Sequence, residues 1–388
     1  MKKHTTIVIK LGTSSIVDEG THEPRLSILS SIVETAVALR RDGHHVVICS
    51  SGAIGMALRQ MDLDRRPKHL PQVQALAAIG QCKLMAMYDQ LFAHVRQPVA
   101  QILLTRNDIA DRTQYLNAQN TFGELLSFGV IPIVNENDTL SVQEIKFGDN
   151  DTLSAITAGM VQADYLFLMT DVDCLYDKNP RTHADARAIE VVNDISKLEA
   201  DTSSAGSNLG TGGMETKIVA ARLATAAGVT TIIARSSRPG SIAAIVHHVE
   251  QQKAGVLPVQ APPLHTRFLP HPNPIRDRYF WLLHGLAPHG TVYIDAGAHA
   301  AIAAKAGLLP VGVVDVEGIF GQQECVRLSV IPNGTVGLNG AHEVGRALVN
   351  YSATEIKRIK GVKSGQISDI LGYADSEYIA LRESLALF

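Results

Sequence analysis

The sequence predicts an α/β protein: a largely parallel sheet with helices on both faces, followed by a small β-rich domain. Three observations carry this. Short β-branched runs alternate with helix-period segments up to about residue 250, a proline-rich stretch follows, and short strands separated by Gly, Pro and Asn come after it. Alternating strands and helical segments are the mark of βαβ units, which pair in parallel and cover both faces of their sheet. At 388 residues the chain is also long for one core, so two folded units are expected.

In order, Ile7–Val8–Ile9 is the first strand, and it runs into KLGTSS. The helical stretch Leu26 to Arg41 ends at Asp42–Gly43 and leads to the strand Val46–Val47–Ile48–Cys49, followed by SSGAIG. A long helix over Gln72 to Val95 precedes the strand Val99 to Leu104. A helix over Asn117 to Phe128 precedes the strand Val130 to Val134 and then NEND. Asp151 to Val161 leads to the strand Tyr165 to Met169 and TDVD, and Met214 to Ala227 leads to Val229 through Ala234.

The stretch VLPVQAPPLHTRFLPHPNP carries six prolines and reads as extended linker. Beyond it, strands are expected at Thr291–Ile294, Val311–Val316, Val326–Ile331 and Thr335–Leu338, with a helix around Ala298 to Ala306. The expected organisation is a first domain over 1–255, linker and connector over 256–288, a β-rich domain over 289–367 and a tail over 368–388.

A net charge of −3 gives the whole molecule no pull toward nucleic acid or anionic membrane. Cys49, Cys82, Cys174 and Cys325 are scattered without a CxxC pair, which reads as reduced thiols in a cytoplasmic protein. The opening MKKHTTIVIKLG has too short an apolar run for a signal peptide, and no later run could span a bilayer. The pairs His44–His45 and His247–His248 lack metal-ligand spacing, so no metal ligands are assigned.

Ligands of such sheets bind beyond the carboxyl ends of the strands. The segments there, KLGTSS, SSGAIG, NENDT and TDVD, are each rich in Gly, Ser, Thr, Asn, Asp or Lys. Any one would be an ordinary turn; four together, with KFGDNDTLS and GTGGMETK, are not. GTGGMETK is no P-loop, because Thr216 rather than Gly precedes Lys217 and Ile218 follows it, leaving no hydroxyl directly after the lysine for Mg²⁺. It still joins a Gly-rich loop to a lysine-bearing helix, which suits an anion. Phosphoryl transfer needs positioning and positive charge. Lys10 and Lys217 could grip phosphates from two sides, with glycine N–H groups close by. Asp138 and Asp149–Asn150–Asp151 could bind a substrate ammonium, hold Mg²⁺ or orient the lysines, and Asp171 is placed to face a nucleotide.

KLGTS at 10–14, SSGAIG at 50–55, LLTRND at 103–108, NEND at 135–138, IKFGDNDTLSA at 145–155, MTDVDCLY at 169–176 and LGTGGMETK at 209–217 resemble, in order and spacing, the bacterial glutamate 5-kinases of the amino-acid kinase family. DAGAHAAIAAKAGLLPVGV and YSATEIKRIKGVKSGQISDILGY are similar to the PUA domain and tail that many of these enzymes carry. The resemblance implies a three-layer α/β/α sandwich around a mainly parallel sheet, plus the PUA domain. It implies phosphorylation of the L-glutamate side chain by ATP with Mg²⁺, the first step toward proline. By motif, Lys10 and Lys217 would stabilise the transferring group and Asp151 would orient them. Ser51, Asp138 and Asn150 would bind glutamate. Lys10, Thr170, Asp171, Thr211, Gly212, Gly213, Met214, Glu215, Thr216 and Lys217 would bind ATP. It further implies feedback inhibition by proline, a homo-oligomer, and handover to glutamyl-phosphate reductase. The loop Thr139 to Phe147, rich in polar residues and flanked by both binding motifs, is expected to be the adjustable element of the inhibition. Gln323 stands where PUA domains usually have a turn glycine. Residues 289–367 hold seven Lys or Arg against six Asp or Glu, so RNA binding is not expected.

Overall fold

The β-branched runs at the start of the chain form the middle of a sheet. In the computed structural model the described residues are 4–140, 150–180, 182–183, 185–195, 198, 213–255, 261–272, 274, 277–331 and 340–388. The strands are β1 (Thr6–Leu11), β2 (His45–Ser50), β3 (Val99–Leu104), β4 (Ile131–Glu136), β5 (Tyr165–Thr170), β6 (Leu175–Tyr176), β7 (Ala188–Ile189), β8 (Val191–Val192), β9 (Thr230–Arg235), β10 (Thr266–Phe268), β11 (Gly290–Ile294), β12 (Val313–Gly318), β13 (Cys325–Val330), β14 (His342–Leu348) and β15 (Leu385–Leu387). Residues 1–275 and 276–388 form two separate units.

The first unit holds an eight-stranded sheet in the order β3-β4-β2-β1-β5-β9-β10-β8. The six strands from β3 to β9 run parallel, and β10 lies antiparallel to β9. The chain builds outward from β1 through β2, then returns past β1 to add β5 on its other side. The carboxyl end of β1 therefore lies where the winding reverses, the place in such sheets where a crevice opens.

Strand alternation sorts the side chains. Ile7, Ile9 and Leu11 enter a core with Ile48, Ile133, Phe167 and Ile232, packed under the helices Leu26–Arg41, Leu70–Ala93 and Ser241–Lys253. Each such fully buried side chain contributes about 1.5–3 kcal/mol. Val8 and Lys10 point to the opposite face, where the helix Asn150–Met160 packs on β1 and against the helix Met214–Ala226. Helix ends follow local chemistry: Gly43, at φ 93°, takes the left-handed turn after Leu26–Arg41. Asp111 accepts from the Gln114 N–H at 2.8 Å to start Arg112–Ser127.

The proline-rich stretch is not merely a spacer. Between its proline clusters Thr266–Phe268 forms β10, inserted between β9 and β8. The Thr266 hydroxyl accepts from the Leu175 N–H at 2.7 Å and donates to the Ile189 carbonyl at 2.6 Å. Residues 266–268 are free of proline and keep the N–H groups a ladder needs, which the composition of the whole stretch conceals. The first unit thus runs past the expected 255.

The second unit is a five-stranded sheet in the order β12-β11-β13-β14-β15. Asp295 caps its helix Ala296–Ala303 through the Ala298 N–H at 2.6 Å, and Ser352 with Glu355 forms a capping box on Ala353–Ile359. The stretch expected as a tail supplies β15, so it belongs to the sheet. Gln323 adopts φ 60°, taking the turn conformation usually left to glycine. The strand expected at 335–338 lies outside the described residues. No described helix is long and apolar enough to cross a membrane.

Candidate functional site

Lys10, the next-to-last residue of β1, is turned to the face on which the helix Asn150–Met160 begins. Its Nζ lies 2.5 Å from Asp151 Oδ1. From the other side Lys217, in the first turns of Met214–Ala226, places its Nζ 3.3 Å from Asp151 Oδ2. The Thr216 hydroxyl donates to the same Oδ2 at 2.8 Å. All three charged groups are buried, Asp151 entirely (Lys10 4%, Asp151 0%, Lys217 6% exposed). Burial alone would push the Asp151 carboxyl up, but the ammoniums of Lys10 and Lys217 and the hydrogen bonds from Lys10 and Thr216 outweigh it and hold the group at about 2. Two ammoniums are thus fixed around one carboxylate at the end of the central strand.

The neighbouring residue faces another network. Asn150 Nδ2 donates to Ser51 Oγ at 2.7 Å and to Asn135 Oδ1 at 2.9 Å. Asn135, at the end of β4, donates from Nδ2 to Gln81 Oε1 at 2.8 Å. Gln81 belongs to Leu70–Ala93 and lines a cavity of about 450 Å³ with Cys82, Met85, Leu103 and Asp138. Gly52, at φ 101°, turns the chain from Ser51 into the helix Ala53–Gln60. Gly80 lets Leu70–Ala93 approach that helix backbone to backbone: a Cβ there would lie 1.7 Å from the Ala53 carbonyl oxygen.

Of the residues expected at a nucleotide, Thr170 ends β5 and its hydroxyl donates to Asp171 Oδ1 at 3.1 Å. The Asp171 carbonyl accepts from Arg235 Nη2 at 3.2 Å. Gly213 stands before the helix Met214–Ala226, Met214 and Thr216 are half-buried and Glu215 is exposed. Thr211, Gly212 and residues 141–149 lie outside the described residues. The structure therefore gathers Lys10, Asp151, Thr216 and Lys217 in one place, and Ser51 with Asn150 beside it. Asp138 lines the cavity that Gln81 shares.

Two members of this network, Asn135 and Gln81, carry little mark in the sequence. Asn135 is the first residue of NEND, a motif in which the charge of Asp138 is the stronger mark. Gln81 is one polar residue in a helix, and nothing in its spacing marks it. The Cys49 thiol, paired across the sheet with Lys10, is pushed up to about 12 by burial against the lowering influence of Thr157 and Lys10, so it remains protonated. Among the described residues no three His, Cys, Asp or Glu side chains form a metal cluster.

The amino acid kinase family model matches residues 5–235 and the PUA domain model residues 290–371. A probable glutamate 5-kinase of Schizosaccharomyces pombe is 57% identical over 99% of this chain and 94% of its own. A glutamate 5-kinase of Trichormus variabilis is 47% identical over 98% of this chain and 99% of its own. That of a Nostoc species is 46% identical, over 98% and 97%.

Proposed function

The chain belongs to the amino acid kinase family, and we propose that within it the protein is a glutamate 5-kinase. It transfers the γ-phosphoryl group of ATP to the side-chain carboxylate of L-glutamate, giving L-glutamyl 5-phosphate and ADP. The observation that carries this is the convergence of Lys10 and Lys217 on buried Asp151, next to the Ser51–Asn150 pair. Similarity over nearly the whole length to glutamate 5-kinases supports the choice of acceptor.

The glutamate side chain is ionised at neutral pH, so its oxygen needs no base. That oxygen forms a bond to the γ-phosphorus while the bond to the β,γ-bridging oxygen breaks, and the electron pair leaves with ADP. The difficulty is bringing one anion against another, and the Lys10 and Lys217 ammoniums meet it by holding the oxygens of the group in transit. Asp151 keeps both ammoniums in place. Ser51, Asn150 and Asp138 receive glutamate, the acid suiting its ammonium. Thr170, Asp171 and residues 211–217 face ATP.

Mg²⁺ supplies charge neutralisation on the phosphates when bound. Asp151 does not fit as its ligand, since both oxygens are engaged by Lys10, Lys217 and Thr216. The ion would enter on the nucleotide's own oxygens, as Mg²⁺ usually does. Proline shares the α-amino and α-carboxylate groups of glutamate, so it would compete for their pocket without accepting a phosphoryl group. We do not read the second unit as an RNA-binding module, a reading supported by basic groups engaged within the unit, Lys360 with Asp315 at 2.5 Å and Arg346 with Glu343 at 3.5 Å. We place the protein in the cytoplasm.

ADP release measured with glutamate, acetylglutamate, carbamate, aspartate and uridylate as acceptors tests the reading. Turnover with glutamate above all others is expected, and a preference for any other acceptor refutes it.

A further inference from the structure

The amide network beside Asp151 has a direction, and one backbone group sets it. A backbone N–H can only donate. That of Glu136 lies 2.9 Å from Asn135 Oδ1, so this atom must be the carbonyl oxygen of the Asn135 amide. The other end of the amide, Nδ2, then faces Gln81, which has to present its oxygen, at 2.8 Å. Asn135 Oδ1 also accepts from Asn150, at 2.9 Å, so Asn150 must turn its nitrogen inward. The Ser51 hydroxyl oxygen takes the same nitrogen at 2.7 Å. What remains is the Asn150 carbonyl oxygen, buried and without a hydrogen-bond partner among the described residues. A buried acceptor left open is costly, and a bound donor removes that cost.

We propose that Gln81 is a positioning residue for the acceptor substrate. It holds Asn135 in the orientation that leaves the Asn150 carbonyl oxygen to accept from the acceptor's ammonium group. The inference rests on the acceptor being an amino acid, as in the proposed function. Gln81 takes no part in the reaction and acts through Asn135. The only function of its oxygen in the network is to accept from Asn135 Nδ2, and its own nitrogen is buried and unpartnered among the described residues. A glutamate at position 81 preserves the acceptor. A methionine of similar length removes it and leaves the buried Asn135 nitrogen without a partner.

Gln81→Met and Gln81→Glu should be compared with the natural full-length protein for KM toward glutamate, KM toward ATP and kcat. With Gln81→Met, KM for glutamate is expected to rise about tenfold or more while KM for ATP stays within about twofold. With Gln81→Glu it is expected to stay within about threefold of the natural value. A change below about twofold in Gln81→Met, equal damage by both substitutions, or parallel shifts in both KM values would each overturn the proposal, because a residue that only packs the helix has no reason to separate the two substrates or the two variants. If the natural protein does not turn over glutamate, the proposed function fails instead, and the same comparison is made with the acceptor that the panel identifies.

Discussion

Lys10 Nζ stands 2.5 Å from Asp151 Oδ1, which ties the end of β1 to the first turn of the helix Asn150–Met160. Both side chains are almost wholly removed from water. A buried pair of this kind adds little net stability, but removing one partner leaves a charge that costs about 3–5 kcal/mol. Its value lies in fixing where the ammonium is.

Asp151→Asn keeps the shape and removes the charge that holds Lys10 and Lys217. If the lysines act on the group in transit, as proposed, kcat should fall about 10²–10³-fold with both KM values moved much less. Steady-state kinetics check this. A variant that loses only ATP affinity would show that Asp151 serves nucleotide binding instead.

The same residue makes an acid-stability prediction. Its carboxyl is held at about 2 against an ordinary 3.8, so it stays ionised in the fold where the unfolded chain takes up a proton. The stabilisation is fully present above pH 3.8 and is lost as pH falls through about 2; it amounts to about 2 kcal/mol. The stability difference between the natural protein and Asp151→Asn, from urea unfolding, should therefore shrink by that amount between pH 5 and pH 2. A difference that does not change with pH contradicts it.

Lys10→Ala and Lys217→Ala should each lower kcat about 10²–10⁴-fold. Since both share Asp151, the double variant should be far less impaired than the product of the two effects. Strict multiplication in single-turnover rates would mean that the lysines act independently.

Asp138→Ala should raise KM for glutamate by about 10–150-fold, the loss of a charge-assisted contact, while KM for ATP changes little. Equal effects on both substrates would assign Asp138 to the metal or to the fold.

Gly80→Ala would drive a methyl group into the Ala53 carbonyl, at 1.7 Å, and neither backbone can yield cheaply. A loss of about 1–3 kcal/mol is expected in thermal or urea unfolding. Because Gln81 is the next residue, KM for glutamate should rise as well. An unchanged melting temperature would show that the two helices are free to separate.

Proline inhibition should reside in the first unit. A protein truncated after residue 275 keeps β10 in the sheet, which a cut anywhere before Thr266 would remove. It should phosphorylate glutamate and respond to proline; activity without any proline sensitivity would assign regulation to the second unit.

The six parallel strands β1, β2, β3, β4, β5 and β9, the helices between them, and the polar segments at their carboxyl ends are legible in the chain alone. Period and composition act over ten or twenty residues, and those features are local. Lys10, Asp151 and Lys217 were each legible as members of such segments. Their meeting was decided by the sheet, because the order that sets β1 between β2 and β5 brings the starts of two distant helices to one strand end. The direction of the Gln81–Asn135–Asn150 network was likewise tertiary, since it depends on one N–H of Glu136 and on burial that no spacing records. The same holds at the joint and the far end of the chain. Proline content made 256–288 look like a linker, and position made 368–388 look like a tail, yet each carries a strand. A three-residue strand has almost no pattern of its own and becomes a strand only because an open sheet edge is there to pair with it.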